Sequence, residues 1–276
     1  MLFESSLPAG FLRKAYGEYV FYEPPSIDLI VSCIGALNSG AGDCLPVSTV
    51  EEHRAVYILQ SRQSILKYNR LRSWKLRLLK GVGVGWGRKN CLVDEFRNLA
   101  RLTGSELVPR THGYGCRRVW GFLLEEYLLV ELFDGASTLD EALMRRGAAD
   151  LLPKVFELFD GMLREGFCHL DPHPGNILVM PGGELKFIDF EGCSFDVSDR
   201  SFCMGFCLGR FYNFWFGRYM AEADYDRAVY DFVGDADEVF RAVYERFKTK
   251  VSRKVVHRCF SEPSMRAAFI DACLQR

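Results

Sequence analysis

The sequence predicts an α+β chain in two parts: a strand-rich part with one main helix, and a mostly helical part entered through a small hairpin. Three observations predict it. Short β-rich runs crowd the first part, at Arg54 to Leu59, Ser64 to Tyr68 and Gly121 to Leu132. Apolar residues recur at helical spacing in Leu152 to Glu165, and everything after Asp199 reads as helical and aromatic-rich. Between these lie two strands, Ile177 to Val179 and Leu185 to Ile188, around the turn Pro181-Gly-Gly183. The parts divide as residues 1–133 and 134–276.

Each element has its own signal. Residues 1–50 give weak ones, with Ile27 to Val31 as a strand and Gly35 to Asp43 as a loop. Arg54 to Leu59 and Ser64 to Tyr68 form a hairpin around the polar turn Gln60 to Gln63. Arg70 to Lys80 turns helical, with Leu71, Trp74 and Leu78 on one face. Gly81 to Gly87 breaks that helix. Asp94 to Leu102 is the next helix, with Phe96 and Leu99 inward and Gly104 as its stop. Thr138-x-x-Glu141 is a capping box that opens a helix closed by Gly147. Val155, Leu158, Phe159 and Met162 form the inner face of the helix from Leu152, and Gly166 ends it.

Bulk properties exclude several classes. Hydrophobic residues make up 49% of the 276, enough for a sizeable core. A net charge of -1 gives no general attraction to nucleic acid. The ten cysteines contain no Cys-x-x-Cys pair, which suits reduced thiols in a cytosolic protein. The start shows no basic stretch followed by an apolar core. The most apolar window, Phe202 to Phe216, is interrupted by Arg210 and is too short to span a bilayer. A soluble or peripheral protein is expected.

The chemistry concentrates in His169-Leu-Asp-Pro-His-Pro-Gly-Asn176 and Phe187-Ile-Asp-Phe-Glu-Gly192. Asp171 is the candidate base, because an attacking hydroxyl needs a carboxylate to orient it and take its proton. Alone it would read as a turn aspartate satisfied by local amides. Asn176 stands five residues later and Asp189 thirteen beyond that, and the spacing favours function. Asn176 and Asp189 offer the hard oxygens that magnesium takes. His169-x-Asp-x-His173 also fits a transition-metal site, but with five histidines in the chain no further ligand set stands out. Upstream, Lys67 lies in the apolar strand Ile65 to Tyr68, and Glu95 begins the next clear helix. A strand lysine held by a helix glutamate contacts nucleotide phosphates in kinases. Each has a plainer reading, Lys67 as a snorkelling edge residue and Glu95 as a first-turn acid.

Gly81 to Gly87 looks like a phosphate loop, yet it follows Lys67 instead of preceding it, so it reads as a connection. The phosphate-covering turn is expected between Asn38 and Glu52. From His53 to Val93 there are ten Lys or Arg and no Asp or Glu. That stretch suits an anionic membrane surface or substrate, and equally a solvated helix.

These residues resemble the protein-kinase-like superfamily. His169-Leu-Asp171, Asn176 and Asp189-Phe-Glu191 are similar to its catalytic and metal loops. Three details narrow the resemblance to the bacterial lipopolysaccharide kinases, which phosphorylate heptose or 3-deoxy-manno-octulosonic acid (Kdo) of the inner core. They are the Asp-Pro-His-Pro-Gly-Asn loop, the short path from Asp189 into helix, and Ile65-Leu-Lys67-Tyr68 with Glu95-Phe-Arg-Asn-Leu. The resemblance covers residues 54–215. It implies a two-lobed protein-kinase-like fold, with a small antiparallel-sheet N-lobe and a mostly helical C-lobe. It implies ATP and Mg2+, with Asp171 as base, Asn176 and Asp189 on the metal, and Lys67 with Glu95 at the phosphates. Val130 to Phe133 would sit beside adenine, and His169 would be a buried scaffold residue bonded to backbone near Asp189. The acceptor would be a lipid-linked core oligosaccharide or another anionic sugar, met on the cytoplasmic face of the inner membrane. Asp-Phe-Glu in place of Asp-Phe-Gly, and the missing glycine loop, depart from the pattern. Other readings are an atypical small-molecule or protein kinase, or an inactive kinase-like binding protein.

Overall fold

A computed structural model describes residues 10–24, 35, 44–51, 54–60, 63–71, 92–214 and 216–275. The chain divides into two compact units: Met1–Gly104 with Val108–Asp134, and Ser105–Leu107 with Gly135–Arg276. The expected strand at Ile27 to Val31 and the run Gly81 to Gly87 lie outside the described residues. So does most of the expected loop at 35–43 and of the helix expected from Arg70 to Lys80.

The first unit is a seven-stranded antiparallel sheet with one described helix of three turns. The strands are β1 (Leu12–Tyr16), β2 (Tyr19–Glu23), β3 (Cys44–Glu51), β4 (Arg54–Leu59), β5 (Ser64–Arg70), β6 (Thr111–Val119) and β7 (Phe122–Glu131), and the helix is α1 (Leu92–Arg101). Their spatial order is β1-β2-β6-β7-β5-β4-β3. The predicted hairpin is β4–β5, in register from Arg54 opposite Asn69 to Leu59 opposite Ser64. Arg70 does not open a helix as expected. It stays in the ladder opposite Glu125, where unlike charges pair across strands.

Four strands of this sheet, β1, β2, β3 and β6, escaped the sequence reading. Gly113 and Gly115 lower the strand signal of β6, yet Gly115 lies between Phe21 and Tyr127 in the ladder, where a missing side chain leaves space for both rings. Pro46 weakens β3, which tolerates it because β3 is an edge strand. The β1–β2 hairpin closes through Gly17 at φ +58, a conformation that favours glycine. One face of the sheet is a cluster of Phe21, Leu59, Leu66, Tyr127 and Leu129. On the other face Phe96 of α1 packs on Tyr114 with ring centroids 5.5 Å apart.

The second unit begins with the short strand β8 (Ser137–Thr138) and helices α2 (Leu139–Arg146) and α3 (Leu152–Arg164). The predicted capping box is formed: the Glu141 amide donates to Thr138 Oγ1, and the Thr138 amide donates to the Glu141 carboxylate. Gly147 and Gly166 end the two helices at φ +82 and +83. Val155, Leu158, Phe159 and Met162 are buried as expected. Then come β9 (Cys168–His169), the hairpin β10 (Ile177–Val179) and β11 (Leu185–Phe187), and β12 (Cys193–Ser194), which pairs with β9. Helices α4 (Arg200–Phe214), α5 (Glu222–Val233), α6 (Glu238–Phe247), α7 (Arg253–Ser261) and α8 (Pro263–Leu274) complete it. Helices α4 and α6 approach so closely that a methyl on Gly209 would lie 2.4 Å from the Tyr244 carbonyl. Among the described residues, no helix is long and apolar enough to cross a membrane.

Candidate active site

In the first unit, sheet register decides which face each side chain takes. Residues directly opposite in an antiparallel ladder share a face. Lys67 lies opposite Leu128, Leu128 opposite Tyr114, and Tyr114 opposite Tyr22. Tyr22 and Tyr114 both pack against Phe96, so this row is the helix side of the sheet. Lys67 therefore points toward α1. There its Nζ donates to Glu95 Oε1 at 2.7 Å. Glu95 is 2% exposed and Lys67 22%. A carboxylate at that depth needs a cation or several donors. The same face holds Glu126, fully buried, which accepts from Tyr114 Oη at 3.0 Å and Asn69 Nδ2 at 3.3 Å.

In the second unit, one histidine ties the two motif loops together. His169 is fully buried, with its ring stacked on Phe187 and edge-on to Phe190. Its Nε2 lies 2.9 Å from the Asp189 carbonyl and 3.2 Å from that of Ile188. Carbonyls only accept, so Nε2 carries the proton. Nδ1 then accepts from the Asp171 amide at 3.1 Å. Both ring nitrogens are thus committed, and His169 is scaffold, not a metal ligand. Burial pushes its pKa below 6.5 and keeps the ring neutral. His173 is also used locally: its Nδ1 accepts from the Gly175 amide at 3.0 Å. A methyl on Gly175 would come within 2.8 Å of that ring, which makes glycine the fitting residue there.

Asn176 ends the turn that His173 opens. Its Nδ2 donates to the Asp171 carbonyl at 3.0 Å, so the donor end of the amide is spent within the loop. The oxygen end would be the one to meet a cation. The Ile188 amide donates to the Asn176 carbonyl at 2.9 Å, which sets Asp189 just past the end of β11. Asp189 adopts φ +65. A non-glycine residue there costs about 1–2 kcal/mol, and such strain collects at functional positions. The chemistry of these residues fits a magnesium ion, with one amide oxygen and one carboxylate on two tethered loops.

Asp171 has company that the sequence reading missed. Arg253, the first residue of α7, donates through Nη2 to Asp171 Oδ2 at 3.1 Å. Arg210, from the middle of α4, places Nη2 3.6 Å from Oδ1. That distance is an ion pair without a hydrogen bond. Oδ1 is buried and accepts no hydrogen bond among the described residues. Arg210 is itself buried, and burial pushes its pKa below the usual arginine range. These partners lie 39 and 82 residues along the chain from Asp171, at no periodic spacing. The one available signal was Arg210 itself, a lone charge inside the apolar run Phe202 to Phe216.

Comparison with known proteins agrees with this geometry in part. Residues 119–202 match the family described as the ABC1 atypical kinase-like domain. That span contains Asp171, Asn176 and Asp189 but neither Lys67 nor Glu95. The serine/threonine-protein kinase PknA of Mycobacterium tuberculosis is 33% identical over 107 residues, which is 36% of this chain and 25% of PknA. The AarF domain-containing protein kinase 1 of Gallus gallus is 31% identical over 98 residues, 33% of this chain and 19% of that protein. The matches thus span about a quarter or less of these curated relatives. The crystal structure of WbdD with a kinase inhibitor aligns with a TM-score of 0.47 and 14% identity, over 74% of this chain and 45% of that one. The chain, mixed α+β as expected, thus carries a kinase-like segment over residues 119–202.

Proposed function

We propose that the chain is a magnesium- and ATP-dependent phosphotransferase whose acceptor is a sugar hydroxyl of the lipopolysaccharide inner core, on heptose or Kdo. The observation that carries the phosphotransferase reading is the Asp171 carboxylate. It stands on a loop locked to the Asp189 loop, and one of its oxygens is buried without a hydrogen-bond donor. A buried acceptor of this kind costs free energy unless a donor arrives. An acceptor hydroxyl supplies that donor.

The roles follow. Asp171 orients the hydroxyl and takes its proton as the hydroxyl oxygen bonds to the γ-phosphorus and the bond to the β–γ bridging oxygen breaks. Asn176 and Asp189 would hold magnesium, which neutralises phosphate charge when bound. Lys67, fixed by Glu95, would meet the α- and β-phosphates, and Val130 to Phe133 would border adenine. The lipopolysaccharide acceptor is supported by the resemblance of the two loops and of the Lys67 strand. The basic segment 54–89 supports contact with an anionic acceptor or with the cytoplasmic face of the inner membrane. A protein or other small-molecule acceptor is the second reading, supported by relatives named as protein kinases.

Asp171→Ala tests the base. Turnover should fall about 10²-fold or more, the range for loss of a positioned base, while MgATP binding survives. Unchanged phosphoryl transfer would remove Asp171 from the mechanism. Mass spectrometry of core oligosaccharide from cells with and without the gene tests the acceptor. An unaltered phosphate pattern points to the second reading.

A further inference from the structure

The Asp171 carboxylate meets two cations from distant parts of the chain. Two guanidiniums, Arg210 and Arg253, flank it, and each contacts a different oxygen. Arg253 also stands where a cation is least favoured. It opens helix α7, whose N-terminus is the positive end of the helix dipole, and the next residue is Lys254. The first turn of α7 holds no acidic residue. The helix dipole disfavours a cation at that position, so its placement calls for a compensating anion. His257, one turn further on, reports the same field. Partial burial pushes its pKa down, the Arg210 and Arg253 charges push it further, and only Asp171 opposes them.

The two arginines differ in mobility. Arg210 is 3% exposed and rests over the Phe206 ring. The close α4–α6 approach at Gly209 fixes the backbone beside it. Arg253 is 71% exposed and can leave Asp171 without unpacking a core.

We propose that Arg253, backed by Arg210, is an anion subsite for the acceptor, so that the molecule phosphorylated carries a carboxylate or phosphate close to its reactive hydroxyl. The proposal deepens the kinase reading of Asp171 and rests on it. In the free protein Arg253 uses Asp171 as its anion. An anionic acceptor replaces that partner: its carboxylate or phosphate takes the Arg253 guanidinium, and Asp171 Oδ2 is released. The released carboxylate then has two oxygens to orient the hydroxyl and receive its proton. Arg210 stays in place beside the carboxylate. A neutral acceptor lacks the group that draws Arg253 away, so the site selects against it through its own ion pair.

Calorimetric titration of the full chain, without nucleotide, tests this with three probes: Kdo as a carboxylated sugar, mannose 6-phosphate as a phosphorylated one, and mannose as the neutral control. At least one anionic probe should bind at least about tenfold more tightly than mannose, the scale of one charge-assisted contact. The preference between Kdo and the phosphate identifies which anion the subsite takes. Arg253→Ala should erase the advantage and leave mannose unchanged, Arg253→Lys should restore part of it, and Lys254→Ala should retain all of it. Arg253 is exposed, so these variants should fold, and thermal melts check that they do. Equal binding of mannose and both anionic probes overturns the proposal. So does an Arg253→Ala variant that binds the anions as the wild type does, or a Lys254→Ala variant that loses as much. Because no nucleotide is present, the result is separable from the kinase reading. Arg253-dependent anion binding with no phosphorylation of any probe leaves the subsite standing and removes these sugars as acceptors. Phosphorylation of the anionic probes by Arg253→Ala with the wild-type KM leaves the kinase standing and removes the subsite.

Discussion

The chain builds two ion-pair sites on opposite principles. In the first unit, Lys67 and Glu95 form one pair of equal and opposite charges, joining a central strand to a buried helix face. In the second unit, Asp171 faces two guanidiniums, one buried and one mostly exposed. The first arrangement is held in place, because Glu95 is almost wholly enclosed. Its consequence is a lysine held at a fixed height above the sheet. The second has one buried arm and one exposed arm that is free to swing. Its consequence is a carboxylate that can exchange partners. A pair that positions a ligand group needs the first design, and a base that must be freed when substrate arrives needs the second.

Removing Glu95 should have the largest effect. Glu95→Ala removes the carboxylate that Lys67 Nζ contacts at 2.7 Å, and breaking a buried pair from one side costs about 3–5 kcal/mol. Because Lys67 is 22% exposed, the lower end, about 3 kcal/mol, is expected in urea unfolding. Replacing both partners, as in Lys67→Met with Glu95→Leu, should recover most of that loss. A single-variant cost below about 1 kcal/mol would make the pair equivalent to an exposed surface bridge, and the contrast with Asp171 would vanish.

How much of this contrast the sequence revealed depends on the range of the interactions. Lys67 and Glu95 were legible because a strand and the next clear helix form a local order that a period can reveal. His169, Asp171, Asn176 and Asp189 were legible because their loops lie close in sequence, and the structure ties them through one imidazole. The β4–β5 hairpin and the Thr138 cap follow from local chemistry and were equally readable. Arg253 was not. It reaches Asp171 only after the three helices between them, α4, α5 and α6, have packed, and nothing in Ser252-Arg-Lys-Val marks it. Strand β6 was missed for a related reason. Its glycines look like breakers until the rings of Phe21 and Tyr127 fill the space they leave.

A smaller effect should come from the packing that holds the fixed arm. Gly209 precedes Arg210 and lies against the α6 backbone, where a methyl would meet the Tyr244 carbonyl at 2.4 Å and Phe247 Cβ at 3.0 Å. Backbone cannot yield as a side chain can. Gly209→Ala should therefore cost about 1–3 kcal/mol as overpacking, despite the better helix propensity of alanine. The variant should also lower turnover, because moving α4 moves Arg210 away from Asp171. Lost stability with unaltered turnover would show that Arg210 does not need its present position, and the fixed-arm half of the comparison would fail.

The smallest effect is a pH dependence that separates the loop tether from both ion pairs. Burial holds the folded His169 pKa below 6.5, while the unfolded imidazole titrates near that value. The unfolded chain therefore binds a proton first as pH falls, and stability decreases on the acid side. The contribution is complete above about pH 6.5 and is lost as pH drops from there through the depressed folded value. Protonation of Nδ1 would also end its acceptance of the Asp171 amide. His112 and His257, both lowered chiefly by burial, slope the same way, so the wild-type curve alone does not isolate His169. Melting temperatures of wild type and His169→Gln at about pH 7.5 and about pH 5 do isolate it. Glutamine cannot take up the proton, so its stability should fall less over that interval. Parallel curves would mean that the imidazole stays neutral in both states or contributes nothing. The Asp171 and Asp189 loops would then owe none of their pH dependence to the imidazole, and the Ile188–Asn176 backbone bond, the β9–β12 pairing and the Phe187 and Phe190 packing would hold them at both pH values.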